Sequence, residues 1–381
     1  MATLEQLTEL ETLNRCAYEC TRQSHWKEST QRYLANLLPN NIRLQEDVLS
    51  HSYRIMPTTN FTLNERGKIR KIEAPAMRDR IIQKALMKQV LSPSIIPCLI
   101  YDNYASVKNR GTSFARKRFE IMLRRYYAHN GLDGYILLID IKKYFENIDH
   151  EVLKQLLAPR LVNEPQETID LIFYLIDRSS HSHRGLNLGS EAPQIDAIYY
   201  LGVIDIFVKV VKAMKYYGRY MDDIFIIDKD KKRLQALLKE IEGKLAKLKL
   251  TINAKKTHIV KLTHGFTFLQ IKYNMKQGGK ILKRPSHGKI VRERRRLKAF
   301  RREMDKGNMT LGDVWNCYHS WRGSIIKDHN AHKKSIASLD ALYASLFPPY
   351  KKPRKMGRKE IIGFQFREAD TRDLKYCLMI N

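Results

Sequence analysis

Apolar residues recur along much of this chain at a spacing of three or four, which is typical of amphipathic helices. The clearest case is the stretch 231–250, whose apolar face consists of Leu234, Leu237, Leu238, Ile241, Leu245 and Leu248. The same spacing predicts a helical region at residues 4–53 that is broken at 39–41. It predicts further helices at residues 78–91, 151–157, 167–176, 195–214, 283–306, 311–326 and 335–347.

Shorter apolar runs between turn residues predict strands. Residues 61–63 and 69–74 are expected to pair as a hairpin whose turn contains Gly67. Further strands are predicted at 135–140, 215–220, 224–227, 250–257 and 266–273. The runs 215–220 and 224–227 flank a polar pair, so we expect a second hairpin there.

The tip of this second hairpin carries two adjacent carboxylates, Asp222 and Asp223. Neighbouring carboxylates repel each other, so the turn is unfavourable unless a cation lies there. The strand 135–140 ends in a third acid, Asp140. Beside the hairpin it would complete a site for two metal ions about 3.5–4 Å apart, the arrangement used for in-line phosphoryl displacement. Mg²⁺ takes such oxygen ligands and keeps positions open for phosphates. The alternative is an ordinary turn with two solvated acids.

The charge balance indicates a polyanionic partner. The chain has 381 residues, of which 43% are hydrophobic, so we expect a globular protein of two or three subdomains. It has 69 Lys and Arg against 40 Asp and Glu, a net charge of +29. Such an excess, together with 20 tyrosines, favours nucleic acid. Ribosomal proteins carry similar charge but rarely so large an apolar fraction.

The cysteines and apolar stretches indicate the compartment. Five cysteines without a CxxC pair predict neither a disulfide framework nor a zinc site, and they fit a reducing, cytoplasmic setting. Residues 1–23 are amphipathic and acidic, unlike a secretion signal. The longest apolar stretch, 197–211, contains Asp205 and Lys209 and is shorter than a membrane span. We therefore expect no membrane association.

Residues 283–306 contain eleven Lys and Arg against three acids, with apolar residues at helical intervals. We expect a helix with an apolar back and a basic front that binds a phosphate backbone. The residues expected to do so are Arg292, Arg295, Arg296, Lys298 and Arg302. A merely solvated face would mix charges of both signs. Residues 351–359 add six basic residues and no acid, which predicts a flexible or RNA-bound tail.

Three further features are candidates for contacts with a substrate, and the first two also admit a structural interpretation. Lys108 and Arg110 lie in a Gly-containing loop that could bind phosphate oxygens or be simply solvated. Phe145 follows Asp140 by five residues and could exclude a 2′-hydroxyl from the site or be a core aromatic. The Gly-punctuated segment 185–194 leads into a helix and would suit a loop beneath a templating base pair.

Taken in order, these features resemble the reverse transcriptase family from about residue 61 to residue 347. The sequence Tyr220-Met221-Asp222-Asp223 matches the family's YxDD signature, and Asp140 with Phe145 matches its first catalytic strand and sugar gate. Arg70 with Lys71, and Lys108 with Arg110, are similar to its two fingers blocks. The segments 185–194 and 253–257 are similar to its template loop and its Asn-x-x-Lys-Thr block. The residues that resemble its primer grip are Phe268, Leu269 and Gln270.

The resemblance implies an α+β fold of the right-hand polymerase type, with an antiparallel palm sheet and an α-helical thumb. It divides the chain into an N-terminal helical extension (1–60) and fingers (61–134), followed by a palm (135–275) with fingers insertion elements around 150–190. A helical thumb (283–347) and a basic C-terminal tail (348–381) complete the expected organisation.

The resemblance also implies DNA synthesis on an RNA template by two-metal nucleotidyl transfer, with two Mg²⁺ ions or Mn²⁺ in their place. The expected metal ligands are Asp140, Asp222, Asp223 and the Ile141 carbonyl, and Lys256 is the expected proton donor to pyrophosphate. The dNTP is expected to contact Arg70, Lys71, Lys108, Arg110, Ile141, Phe145 and Gln194.

The subgroup is indicated by Leu188-Gly189-x-x-x-Pro193-Gln194. This pattern is similar to the Leu-Gly-x-x-x-Ser-Gln form of bacterial diversity-generating and defence-associated enzymes, with Pro193 in place of Ser. It favours an antiphage enzyme that works with a structured noncoding RNA, ahead of a diversity-generating enzyme and a group II intron-type maturase.

The sequence leaves the oligomeric state and the primer open. The protein could pair with a second copy or an accessory protein, and a tyrosine hydroxyl such as that of Tyr376 could serve as primer. In a different class, a non-catalytic RNA-binding protein would keep the polymerase shell and need the basic helix but not the acids.

Overall fold

Four antiparallel strands form the central sheet of the computed structural model, which describes residues 1–22, 24–65, 68–180, 182–187 and 191–350. Their order across the sheet is Tyr216–Tyr220, Asp223–Asp228, Tyr135–Ile139 and His258–Lys261. Each neighbouring pair is antiparallel, and Ile139 lies opposite Ile224. The predicted acidic hairpin and the predicted strand before Asp140 are therefore neighbours in one sheet.

The central strands are apolar because both faces of the sheet are covered. Leu137 and Ile139 join one apolar cluster, whereas Ile136 and Leu138 join another, since successive side chains of a strand point to opposite faces. Helix Thr112–Asn130 contributes Phe119 and its neighbours to the second cluster. The helices that contribute to the first cluster beside the sheet are His150–Leu161, Gln166–Asp177, Ala192–Tyr200 and Lys231–Lys247.

Helices also precede the first hairpin: Leu4–Thr8, Leu10–Thr21, Glu28–Ala35 and Leu37–Leu49. They share the first apolar cluster with helix Met77–Leu86. We expected Pro39 to end the helical pattern, and this was wrong, because Pro39 lies in the first turn of Leu37–Leu49. A proline is tolerated there because the N–H that it lacks would have had no partner within the helix.

The first hairpin pairs Thr59–Glu65 with Lys68–Ala74, and its turn residues Arg66 and Gly67 lie outside the described residues. Helix Met77–Leu86 then continues as a π-helix, Met87–Leu91, and as the short helices Ser92–Ile95 and Ile96–Cys98. The single helix expected at 195–214 is instead divided into Ala192–Tyr200, Gly202–Ile206 and the π-helix Phe207–Val211.

Two strand predictions near the end of the first unit were wrong in detail. The run 266–273 forms two strands, Phe266–Phe268 and Ile271–Met275, joined at Leu269 and Gln270, which both have positive φ. The run 250–257 forms a turn, because the amide groups of Lys256 and Thr257 donate to the Asn253 carbonyl. The strand predicted there lies later, at His258–Lys261.

The chain divides into two units, Met1–Leu282 and Lys283–Asn381. A 3₁₀ turn, Gln277–Gly279, ends the first unit, and strand Ile281–Pro285 crosses the boundary. In the second unit, Leu297, Val314 and Leu339 share an apolar cluster. The helices of this unit are His287–Asp305, Leu311–Asp328 and Lys333–Leu346. The basic tail predicted at 351–359 lies outside the described residues. Within the described ranges, no helix is both long and apolar enough to cross a membrane.

Candidate active site

A two-residue turn presents the paired acids at the end of the central sheet. The last pair of the hairpin is Tyr220 opposite Asp223, so the loop consists of Met221 and Asp222. Met221 has φ +53°. Two-residue hairpin loops favour this left-handed conformation because it matches the twist of the strands, although it costs a non-glycine residue about 1 kcal/mol.

The third acid, Asp140, directly follows the last paired residue of the neighbouring strand. The pairing of the two strands stops at Ile139 opposite Ile224, so Asp140 and Asp223 are the next residue on each strand. The Asp140 carboxylate accepts hydrogen bonds from Asn253 Nδ2 at 2.9 Å and from Lys256 Nζ at 2.5 Å. Its backbone carbonyl also accepts from the Asn253 amide at 2.7 Å. The turn at 253–257 is thus fastened to Asp140, and this is how Lys256 reaches the acids.

The acids lack sufficient compensating positive charge. Burial and the nearby Asp140 raise the pKa of Asp222. Burial, followed by repulsion from Asp222 and Asp140, raises the pKa of Asp223 to about 7. The hydrogen bond with Asp140 raises the pKa of Lys256, so this ammonium stays charged beside the acids. A bound cation would lower the electrostatic cost of ionising the carboxylates.

The donor chemistry fits divalent cations that prefer oxygen ligands. The hairpin acids and Asp140 supply carboxylates, and among the described residues no group donates a hydrogen bond to the Ile141 carbonyl. Nevertheless, no three Asp, Glu, His or Cys side chains in the described part of the chain are arranged to hold one ion. Asn253 and Lys256 each donate to one oxygen of Asp140, so a metal ion bound there would share these oxygens with the Lys256 ammonium and be repelled by its charge.

A cavity of about 290 Å³ joins several of the predicted site residues. Asp140, Asp223 and Lys256 line it together with Phe268 and Leu269. Both of these apolar side chains are otherwise buried, whereas Gln270 is exposed. Two of the predicted acids and part of the predicted primer grip therefore line the same cavity.

The predicted nucleotide-contacting residues are arranged less uniformly. Gln194 accepts a hydrogen bond from Ser106 Oγ at 3.1 Å, and Lys108 is exposed. Arg110 donates to the Asn103 carbonyl at 2.8 Å and lies over the Tyr101 ring, so it braces its own loop. The side chains of two more predicted residues, Arg70 and Lys71, lie outside the described part of the structure.

Phe145 lies on the short helix Tyr144–Asn147 that follows Asp140. Its half-buried ring meets the edge of the Tyr144 ring, with centroids 5.4 Å apart, and its carbonyl accepts from the Leu186 amide at 2.9 Å. Gly185 has φ +98° and donates to the Ile148 carbonyl. The beginning of the segment 185–194 is thus held against Phe145, whereas residues 188–190 lie outside the described residues.

The basic helix His287–Asp305 exposes most of the residues predicted to bind a phosphate backbone. Those that are exposed are Arg292, Arg295, Lys298 and Arg302. Arg296 differs, because its guanidinium donates to Glu293 Oε1 at 2.8 Å and lies over the Phe300 ring. Its charge is partly compensated within the second unit.

Sequence reasoning missed three polar residues that shape the site. Asn253 binds Asp140, and Arg219 and Asp205 form a buried ion pair behind the acidic turn. A signal was present for the pair, since Asp205 lies inside the longest apolar stretch and Arg219 lies inside a predicted strand. The spacing between them gave no sign that the two runs would meet.

Comparison with known proteins gives one family and several solved structures. The model of the family described as reverse transcriptase (RNA-dependent DNA polymerase) matches residues 58–273. No curated protein sequence matches the chain significantly.

Telomerases from two Candida species are among the similar solved structures. Telomerase from Candida albicans, in complex with a TWJ fragment of telomeric RNA, is 13% identical with a TM-score of 0.48, over 82% of this chain and 57% of that one. Apo telomerase from Candida tropicalis is 13% identical with a TM-score of 0.45, over 85% and 65% of the two chains. Its form truncated from the C-terminal domain is 14% identical with a TM-score of 0.45, over 64% and 59%. The chain thus spans less than two thirds of the length of these structures.

Proposed function

Because this chain belongs to the reverse transcriptase (RNA-dependent DNA polymerase) family, we propose that it synthesises DNA on an RNA template. Family membership confirms the α+β right-hand polymerase class expected from the sequence. The substrates of the proposed reaction are an RNA template, a primer with a 3′-hydroxyl and dNTPs. DNA and pyrophosphate are its products.

The observation that carries this proposal is the placement of the acids. Asp140 and Asp223 end adjacent antiparallel strands and line one cavity with Lys256, and Asp222 lies in the adjoining turn. A half-buried cluster of repelling carboxylates destabilises the folded protein, so its presence indicates a functional requirement such as metal binding. A non-catalytic RNA-binding protein would have no use for such a cluster.

Different residues of the chain have different roles in the proposed reaction. Asp140, Asp222 and the Ile141 carbonyl would hold two Mg²⁺ ions, or Mn²⁺, with Asp223 in support. When bound, such ions activate the primer hydroxyl and neutralise charge on the triphosphate. Lys256, once released from Asp140, donates a proton to the departing pyrophosphate.

Further residues position the substrates. Arg70, Lys71, Lys108 and Arg110 neutralise phosphate charge in this proposal, and Gln194 contacts the nucleotide. Phe145 closes the space that a 2′-hydroxyl would need. Phe268, Leu269 and Gln270 support the primer, and the basic face of helix His287–Asp305 binds the backbone of the nucleic acid.

Primer extension on an RNA template tests this function. We expect the double variant Asp222→Ala/Asp223→Ala to lose at least a thousandfold in rate, because metal-binding groups supply several kcal/mol of transition-state stabilisation. The matched control is Asp228→Asn, which changes an acid at the other end of the same strand. Wild-type activity in the double variant would refute the proposed function. RNA binding that survives in both variants without any extension by the wild type would favour a non-catalytic RNA-binding protein.

We further propose that the enzyme acts in the cytoplasm in antiphage defence and copies a structured noncoding RNA. The Leu-Gly-x-x-x-Pro-Gln pattern ending at Gln194 supports this role, and so do the high positive charge and the absence of a CxxC pair. Sequencing of the RNA and DNA that copurify from the native host tests it. A cDNA of one structured RNA supports defence, whereas adenine-directed errors in a copied template repeat favour a diversity-generating enzyme. Copies of the RNA of a self-splicing intron would favour a maturase.

A further inference from the structure

A fully buried arginine lies directly behind the acidic turn. The Arg219 side chain is 0% exposed and pairs with Asp205, which is 1% exposed. The pair is bidentate, with Nη2 2.5 Å from Oδ2 and Nε 2.8 Å from Oδ1. The Tyr217 hydroxyl also donates to Asp205 at 2.5 Å. The carboxylate is therefore held by two donating side chains.

The rest of the guanidinium binds two backbone carbonyls. Nη1 donates to the Met221 carbonyl at 3.0 Å, and Nη2 donates to the Ile198 carbonyl at 2.7 Å. Met221 is the turn residue with φ +53°, and Ile198 lies in helix Ala192–Tyr200, which also carries Gln194. One side chain thus joins the acidic turn to that helix.

The backbone of Arg219 adds a third connection. Its amide donates to the Asp102 carbonyl at 3.0 Å, and its own carbonyl accepts from the Tyr104 amide at 3.0 Å. This contact is close because the preceding residue is Gly218, where a Cβ would lie 2.5 Å from the Tyr104 hydroxyl and 2.8 Å from the Phe225 ring. The loop that begins at Asp102 also carries Ser106, which binds Gln194.

Stability alone does not account for this arrangement. Burying an arginine and a carboxylate costs several kcal/mol each, and replacing such a pair by well-packed neutral residues is often neutral or stabilising. Apolar side chains could not, however, reproduce the two hydrogen bonds to the carbonyls of Met221 and Ile198. These two bonds distinguish the pair from an apolar substitute.

We propose that Arg219 is a positioning residue that fixes the Met221 turn, and with it Asp222, relative to the helix of Gln194 and the loop of Ser106. The consequence for catalysis rests on the proposed function, whereas the effect on the turn does not. The acids and the nucleotide-contacting residues come from segments far apart in the chain. Arg219 contacts the backbone of all three segments and so sets their distances, and an error of about 1 Å in such a geometry costs on the order of a hundredfold in rate.

Two variants separate positioning from stability. The double variant Arg219→Met/Asp205→Asn removes both buried charges and both carbonyl bonds, and its new amide can still accept from Tyr217. The comparison variant, Leu245→Ala, shortens a fully buried side chain on helix Lys231–Lys247 and leaves Arg219 intact. Large-to-small changes of this kind leave a cavity in the core and lower the unfolding temperature.

The measurements are the thermal midpoint of unfolding, amide hydrogen exchange over residues 219–223, and kcat and KM for dNTP well below both midpoints. We expect Arg219→Met/Asp205→Asn to keep most of its thermal stability. It should exchange at least tenfold faster in the turn and lose ten- to hundredfold in kcat, with KM changed less than threefold. Leu245→Ala should unfold at a lower temperature yet keep the exchange rate of the turn and its kcat.

The proposal is overturned if exchange in the turn of the double variant equals that of the wild type. It is also overturned if kcat follows the unfolding midpoint across the two variants. A wild-type protein that extends no primer would refute the proposed polymerase function, and the exchange experiment would still decide whether Arg219 fixes the turn.

Discussion

Neutralising Asp223 should make the metal-free protein more stable, although Asp223 supports the proposed metal site. Burial and the two neighbouring acids raise the pKa of Asp223 from 3.8 to about 7. A difference of about three pH units corresponds to about 4 kcal/mol. Because the carboxyl is only partly buried in the structure, solvent screening reduces the effect, and we expect Asp223→Asn to raise the free energy of unfolding by about 1–3 kcal/mol at pH 8.

The sign of the pH dependence follows from proton binding. Between about pH 4 and pH 7 the folded protein holds a proton on Asp223 that the unfolded chain has released. The stability of the wild type therefore falls as the pH rises through this range, whereas the neutral amide of Asp223→Asn contributes no such loss. The advantage of the variant should be small near pH 4, grow up to about pH 7 and stay constant above it.

Urea unfolding in the presence of EDTA at pH 4.5, 6 and 8 measures this advantage, with Asp228→Asn as the control for loss of an acid from the same strand. Added Mg²⁺ should narrow the difference at pH 8, because the ion offsets the charge that the variant removes. Equal urea midpoints for Asp223→Asn and the wild type at pH 8 would contradict this prediction. A stability advantage of the variant at pH 4.5 as large as that at pH 8 would also contradict it.

Three further results are expected. Lys256→Met should bind Mn²⁺ more tightly than the wild type, as measured by electron paramagnetic resonance, because the ammonium no longer competes for Asp140; weaker binding would contradict this. Phe145→Ala should lower the ratio of kcat/KM for dNTP to that for rNTP at least tenfold, and an unchanged ratio would remove Phe145 from sugar selection. Replacing Arg292 and Arg295 by glutamine should reduce the slope of log K against log salt for RNA binding by about two. Replacing Arg296 by glutamine should change the slope less, because Glu293 partly compensates its charge.

The sequence was sufficient where a strand and its chemistry lie in one continuous run. The hairpin around Met221 and Asp222 could be predicted because two apolar runs flank it. The proximity of Asp140 followed only from the resemblance to a family, since strand order cannot be deduced from periodicity. In the structure, the register of the two strands places Asp140 next to Asp223.

Elements that depend on a partner elsewhere in the chain were not predictable. The run 250–257 has the composition of a strand, yet it forms a turn. The Asn253 carbonyl accepts hydrogen bonds from two backbone amides, and the Asn253 side chain donates to Asp140. Likewise, Leu269 and Gln270 adopt positive φ inside a run that looks continuous, and the Leu269 carbonyl accepts from Arg116 at 2.9 Å. In both cases the tertiary contact outweighs the local preference for a strand.

The tight packing at Gly218 limits how this protein could be re-engineered. Both groups that a side chain would meet, Tyr104 and Phe225, are fully buried, so neither can move aside. In a mutant library of this hairpin, most variants with a substitution at Gly218 would therefore fail to fold. Keeping Gly218 constant would leave more of the collection able to fold.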